Sequence, residues 1–482
     1  MKHKQSHSLR NKLADIGDSI DGKEMISILL LEAGTLLMMG RYGNLVRFFP
    51  ITVMLVVFTL IMCVVCFWFK ANVAILISTI ALTNIGFIVQ TVHPSNEIDY
   101  FEFAKKCAFA LALLCAAFIL FPIVAHYMSS FWGIVVLMAV QYGVFVAMWI
   151  ANAKIEGVTW LELVKAIYAL VLPGLICGNQ FDREIPDIMI RLRTRELKIH
   201  TGIRLGTLVL LIHTFILSLG FIKFSEMGTL LVIWAVFLMS GWIFCKNRKT
   251  IILLCVLFIS SFLAFWMICD RMLYPALLEK NLSKRYKEQY EMIKSEEQSE
   301  EYPEWVTDFV TSLEPEGSVE KLIIRFGAAR HPEKVYYING YQGTLGLSAI
   351  VLGGCFGVLS ERHMLIEKGP FYLPESNNDF LFDGLVHIFG GVVGAFIILM
   401  YIALLINGFR IADNCEIRYF KCLAITMTIM ILIEAVIHIG YNLALLPITG
   451  IPLYFCSGGF FALTTGMAFI GILLAISTGK TQ

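Results

Sequence analysis

Blocks of about 20 continuously apolar residues recur along this chain and constrain it more than any other feature. A helix of that length crosses roughly 30 Å of hydrocarbon. The blocks lie near 51–69, 73–92, 106–127, 131–151, 161–178, 203–222, 228–245, 250–269, 385–407, 419–442 and 455–477. A shorter one, 25–39, contains Glu32 and reads as either a twelfth span or an interfacial helix. Only 16% of the 482 residues are charged and 58% are hydrophobic, where a soluble domain carries about 25% charged residues. The chain therefore reads as an all-α polytopic membrane protein with about 11–12 transmembrane helices. A β-barrel is excluded, because the blocks are continuously apolar rather than alternating.

Charge distribution sets the expected orientation. Basic clusters at 183–204, at Lys246–Lys249 and at Arg410, Arg418 and Lys421 fall on one side if each block crosses once. That side is cytoplasmic by the positive-inside rule. Lys2, Lys4, Arg10, Lys12 and Lys23 argue for a cytoplasmic amino terminus, which requires 25–39 to cross, and the carboxy terminus is cytoplasmic too. The loop 270–384 and the turn Pro447–Pro452 then lie outside. Within that loop, 279–301 reads as a charged, solvated helix or a docking surface. Lys321–Gly357 is apolar and glycine-rich, as expected of a re-entrant or surface-lying segment.

Other classes are less well supported. The net charge of +1 and the lack of a nucleic-acid-like basic run give no reason to expect nucleic acid. Most of the twelve cysteines lie inside apolar blocks, where a thiol behaves as a small hydrophobe. Cys63-x-x-Cys66 has a metal-like spacing but no second pair, so packing is the expected role. The apolar stretch Met25–Met39 has no small-residue cleavage site after it, which argues against a cleaved signal peptide.

The polar run Tyr372–Phe380 ends the long loop and places Asp379 where an apolar segment begins. A carboxylate at such a boundary can stay ionised, whereas at the bilayer centre it would cost roughly 2.5–3.5 kcal/mol on insertion scales. By position alone Asp379 reads as a helix N-cap. Asp379, Asp383 and His387 are spaced four apart and form a stripe, which could hold a metal ion or line a wet cleft. Glu162 and Lys165 share one helix face and can pair. Glu434 and His438, four apart in a spanning block, suit interhelical hydrogen bonds or cavity lining.

Several of these stretches, in order, resemble the SEDS family of bacteria, the RodA/FtsW group. Arg325-x6-Pro332 is similar to its Arg…Pro element. Gly340-Tyr-Gln342, Ala349-Ile350 and Gly353-Gly354-x-x-Gly357 resemble its Tyr-Gln…Ala-Ile…Gly-Gly run. Leu373-Pro-Glu-Ser-Asn-Asn-Asp-Phe-Leu-Phe382 resembles the signature Leu-Pro-Glu-x-x-Thr-Asp-Phe-Ile-Phe, with Asn378 in place of the threonine. Leu446–Leu453 and Ser457-Gly-Gly459 resemble the closing motif, and Glu162-x-x-Lys165 and Glu226-Met-Gly-Thr229 the weaker first-half elements. His387-Ile-Phe-Gly390 replaces Glu-Glu-Leu-Gly, and His438 replaces an asparagine.

The resemblance implies a ten-helix core with extra amino-terminal helices, multi-pass in the bacterial cytoplasmic membrane. Residues 1–72 would be the extension, 73–269 the first membrane half, 270–384 the large extracytoplasmic loop and 385–478 the second half. It implies a peptidoglycan glycosyltransferase that polymerises lipid II at the outer face, in elongation, division or sporulation. Asp379 would be the catalytic base, with Glu162, Lys165, Arg325, Gln342, Glu375, Thr449 and Ser457 binding substrate. A divalent cation, Mg or Mn, could assist, with Asp383 and His387 as ligands. The partner would be a class B penicillin-binding protein. A lipid-linked precursor transporter and a catalytically degenerate scaffold recruiting a transpeptidase are the alternatives.

Overall fold

The computed structural model describes residues 28, 30–34, 45–92, 97–150, 157–185, 188–192, 195–199, 204–224, 226–245, 248–277, 318–327, 329, 341–358, 373, 376 and 378–479. Each of the eleven apolar blocks is helical: α1 Leu45–Trp68, α2 Val73–Val92, α3 Glu97–Met128, α4 Phe131–Ile150, α5 Gly157–Cys177, α6 Leu205–Lys223, α7 Met227–Phe244 and α8 Arg248–Ile268 come first. After them lie two short loop helices, α9 Ser318–Gly327 and α10 Tyr341–Gly353, and a short buried helix, α11 Leu381–Phe389. The chain closes with α12 Gly391–Asp413, α13 Arg418–Asn442 and α14 Phe460–Ser477.

Among the described residues nine helices are long and apolar enough to span a membrane, and pieces of α1 and α2 are shorter apolar helices. The protein is a multi-pass helical membrane protein. Of block 25–39 only part is described, so its crossing lies outside the described residues; the same holds for the charged segment 279–301. Pro122 and Pro173 sit inside α3 and α5, as membrane helices tolerate. Lipid-facing surface is plain on α8, where Leu253, Val256 and Leu257 are exposed.

Two local features depart from the sequence reading. An antiparallel hairpin, β1 Ile188–Leu192 with β2 Arg195–Ile199, interrupts the otherwise helical chain, with Arg191 opposite Glu196. The expected span 385–407 is two helices, because Gly390 adopts φ +86° between α11 and α12. A Cβ at Gly390 would stand against the Cys355 carbonyl and the Gly357 nitrogen, so only glycine lets the chain turn there. All twelve cysteines lie within described residues, and none is disulfide-bonded there.

The chain divides into two compact units. The first comprises residues 1–133, 395–432 and 454–482. Here α3 lies along α14, with Phe109 and Phe460 rings 5.3 Å apart and Gly471 close against the Leu114 carbonyl. Lys106 Nζ donates to the Gly458 carbonyl at 3.1 Å.

The second unit comprises residues 134–394 and 433–453. A buried polar group ties α4, α5 and α6 together inside it. His213 Nε2 lies 2.9 Å from Gln141 Oε1, and His213 Nδ1 lies 2.5 Å from the Tyr142 hydroxyl. Because an amide oxygen only accepts, Nε2 carries the proton and Nδ1 accepts from Tyr142. Gln141 Nε2 in turn donates to the Val164 carbonyl at 2.9 Å, holding the helix turn that carries Lys165.

Candidate functional site

Asp379 lies in a non-helical turn, residues 378–380, that leads into α11, and it is half-buried. The N-cap of α11 is Phe380, and no side chain of its own caps the helix. Phe380 rather than Asp379 thus occupies the N-cap position. The Asp379 backbone carbonyl is held by two consecutive residues at the end of α13: the Tyr441 hydroxyl donates at 2.8 Å and Asn442 Nδ2 at 3.1 Å. Tyr441 also lies 2.9 Å from the Ile451 carbonyl and 3.0 Å from His438 Nδ1, while His438 Nδ1 is 2.7 Å from the same Ile451 carbonyl. A carbonyl cannot donate, so His438 carries its proton on Nδ1 and gives it to Ile451, leaving the Tyr441 proton for Asp379.

The turn after α13 completes the surroundings of the carboxylate. Gly450 adopts φ +70°, and a Cβ there would stand 3.3 Å from Asp379 Oδ2. Thr449 presents its carbonyl to Arg325 Nη1 at 3.4 Å. Arg325 is brought there by its neighbour Phe326, buried among the rings of Phe262, Phe265 and Trp266. The Phe326 carbonyl accepts from Trp266 Nε1 at 3.1 Å. A carboxylate and a guanidinium thus address adjacent residues, Gly450 and Thr449. The start of α7 backs the same turn, since a Cβ at Gly228 would meet Ile451 and Thr449. Such an arrangement can take a proton at one edge and stabilise developing negative charge at the other.

Lys165 forms a second charged group. Its Nζ lies 2.6 Å from Glu162 Oε2 on α5 and 2.8 Å from Glu434 Oε1 on α13. Lys165 and Glu434 are fully buried, and Glu162 is nearly so. The expected Glu162–Lys165 pair is present, and Glu434 is the partner that spacing alone did not pair with it.

Asp383 and His387 both sit on α11. The Asp383 side chain is wholly buried, and neither carboxylate oxygen has a hydrogen-bond partner among the described residues. Burial pushes its carboxyl well above the ordinary carboxylate range. It occupies the space left by Gly346 on α10, where a Cβ would clash with Oδ2. His387 Nδ1 lies 3.1 Å from the Ala349 carbonyl. Among the described residues no three His, Cys, Asp or Glu side chains group as a metal site. Gln342 is exposed at the start of α10, and Ser457 belongs to the first unit, where it is buried. Glu375 and Pro332 lie outside the described residues. Tyr441, Asn442, Gly228 and Gly450 were not singled out from sequence as site residues. The legible signal for Tyr441 and Asn442 is a polar pair ending a spanning helix.

Residues 320–482 match the FtsW/RodA/SpoVE family, described as cell cycle protein. Stage V sporulation protein E of Bacillus subtilis (strain 168) is 36% identical over 140 residues, which are 29% of this chain and 37% of that protein. The probable peptidoglycan glycosyltransferase FtsW of the same organism is 36% identical over 159 residues, 33% of this chain and 38% of the relative. The chain thus spans less than two fifths of the length of either relative. In overall fold it is similar to a solved chain from work on a peptidoglycan synthase complex that coordinates polymerization and crosslinking. That likeness has a TM-score of 0.52 at 16% identity and covers 86% of this chain and 99% of the other.

Proposed function

We propose that this chain, which matches the SEDS family over its carboxy-terminal third, residues 320–482, is a member of that family and polymerises lipid II into glycan strands. The observation that carries the proposal is the meeting of Asp379 and Arg325 at consecutive residues, Gly450 and Thr449, inside the family-matched region. In the proposed reaction a sugar hydroxyl of one lipid II attacks the anomeric carbon of another. The new glycosidic C–O bond forms as the bond to undecaprenyl pyrophosphate breaks. Asp379 takes the hydroxyl proton, and Arg325 offers positive charge near the departing pyrophosphate. A divalent cation (Mg or Mn) with Asp383 and His387 as ligands is poorly supported by the described residues: Asp383 is buried under Gly346 and His387 faces a backbone carbonyl.

The proposed orientation follows the basic loops: termini and 183–204 cytoplasmic, 270–384 outside, where lipid II polymerisation needs Asp379. A cysteine introduced at Lys294, in a background without reactive native thiols, should label in intact cells; labelling only after permeabilisation would reverse the orientation. A class B penicillin-binding protein is the proposed partner, in line with the complex in which the structurally similar chain was solved.

The deciding experiment is polymerisation of lipid II by the purified full-length chain, with and without that partner. Loss of a general base costs about 10²–10⁴-fold, and Asp379→Asn should show a loss of that size while inserting and folding normally. Asp379→Glu should keep a trace. A wild-type rate for Asp379→Asn would end the base assignment. No polymerisation by the wild-type chain would favour the transporter or scaffold readings.

A further inference from the structure

A catalytic carboxylate needs a fixed backbone beneath it. The turn lies outside any helix, α11 begins without a side-chain cap of its own, and the carboxylate is only half-buried. The fixing comes from the end of α13, within the same unit. Tyr441 and Asn442 both donate to the Asp379 carbonyl, filling its two lone pairs. Asn442 Oδ1 also accepts the Asp383 backbone N–H at 3.3 Å. That amide belongs to the first turn of α11, one of the donors a helix start leaves without an intrahelical partner. One side chain therefore grips the carbonyl before α11 and caps the helix after it.

The chemistry of this grip is specific. Asn442 Nδ2 faces two carbonyls, those of Asp379 and His438, and Oδ1 faces an N–H. Only a group with donor and acceptor on one planar end satisfies all three, so the amide orientation is dictated by its partners. Tyr441 is steered by His438, which delivers its own proton to Ile451 and leaves the phenol hydrogen to Asp379. His438, bonded to the Ile451 carbonyl and 3.0 Å from the same phenol, links it to the turn carrying Gly450, the residue that Asp379 Oδ2 approaches. Base and turn are thus referenced to one pair of side chains.

We propose that Tyr441 and Asn442 are positioning residues for Asp379, holding its carboxylate against the Thr449–Gly450 turn in the geometry that proton abstraction requires. The proposal rests on the assignment of Asp379 as the base. Misplacement of a reacting group by 1 Å can cost about 10²-fold in rate, so two hydrogen bonds remote from substrate can control turnover.

The test compares Tyr441→Phe, Asn442→Ala and the double variant with Asp379→Asn, using purified full-length chain and lipid II. Rates are normalised to folded protein, with kcat and KM obtained separately. Each single variant should lower kcat about tenfold and the double about 10²-fold, with KM within twofold of wild type. Asn442→Gln, which restores the amide, should recover part of the loss. An inactive Asp379→Asn beside variants that keep kcat within twofold would overturn the positioning role and leave the base assignment standing. A raised KM with unchanged kcat would also overturn it. A fully active Asp379→Asn would remove the base assignment, and with it this proposal. Tyr441→Phe removes a single oxygen, so it decides the matter if the double variant does not fold.

Discussion

Lys165 Nζ and Glu434 Oε1 lie 2.8 Å apart with neither side chain exposed, joining α5 to α13 inside one unit. Glu162 completes a carboxylate–ammonium–carboxylate row. Charges inside a membrane protein are costly unless paired, and here one ammonium pairs with both carboxylates.

Removing the centre of that row should be severe. Lys165→Met strands two carboxylates, and breaking a buried ion pair costs about 3–5 kcal/mol. Glu434→Gln should cost less, because Glu162 still neutralises the ammonium. Thermal unfolding in detergent should rank wild type above Glu434→Gln above Lys165→Met. Equal melting temperatures for wild type and Lys165→Met would show that the row carries no stability.

Gly450→Ala should impair turnover more than folding. A side chain at φ +70° costs roughly 1–2 kcal/mol, which a large helical protein can absorb. The added methyl would stand 3.3 Å from Asp379 Oδ2 and push on the carboxylate. Polymerisation should fall at least about tenfold while the protein still purifies as a monodisperse species. Normal activity would mean that the carboxylate does not use this space.

Gly346 and Asp383 should behave as a coupled pair. A Cβ at Gly346 would clash with Asp383 Oδ2, and overpacking of this kind costs about 1–3 kcal/mol. Asp383→Ala vacates that space, so Gly346→Ala should be much less damaging in its presence. A double-mutant cycle on melting temperature measures the coupling; strict additivity would show that the clash is relieved elsewhere.

Asp383 should also make stability depend on pH. Its folded carboxyl is raised by burial, while unfolded it titrates near its ordinary value of about 3.9. Folding then favours the protonated form. The Asp383 contribution is fully present below about pH 4 and is lost as pH rises through the raised folded value. Asp383→Asn cannot ionise, so its melting temperature should gain on wild type as the pH is raised from 4 to 8. A difference that stays constant across that range would mean that Asp383 does not change its charge on folding.

What the sequence determined by itself is the part of this protein governed by local length and polarity. Each of the eleven apolar blocks is helical, because a backbone in hydrocarbon must satisfy its own hydrogen bonds. Asp379 was legible as a boundary carboxylate, and as a base through the resemblance of Leu373–Phe382 to the SEDS signature; the Glu162–Lys165 pair was legible because three residues make one helix face. The tertiary structure decided whatever depends on residues far apart in the chain. Periodicity could not show that Gly390 splits the expected span 385–407, since the reason is the Cys355 carbonyl packed against it. Nor could spacing pair Lys165 with Glu434, or reveal that Phe380 rather than Asp379 occupies the N-cap. Tyr441 and Asn442 read as the ordinary polar end of a spanning helix. They become a grip on Asp379 only when α13 lies against the start of α11, because a hydrogen bond acts over about 3 Å and only folding brings those groups so close.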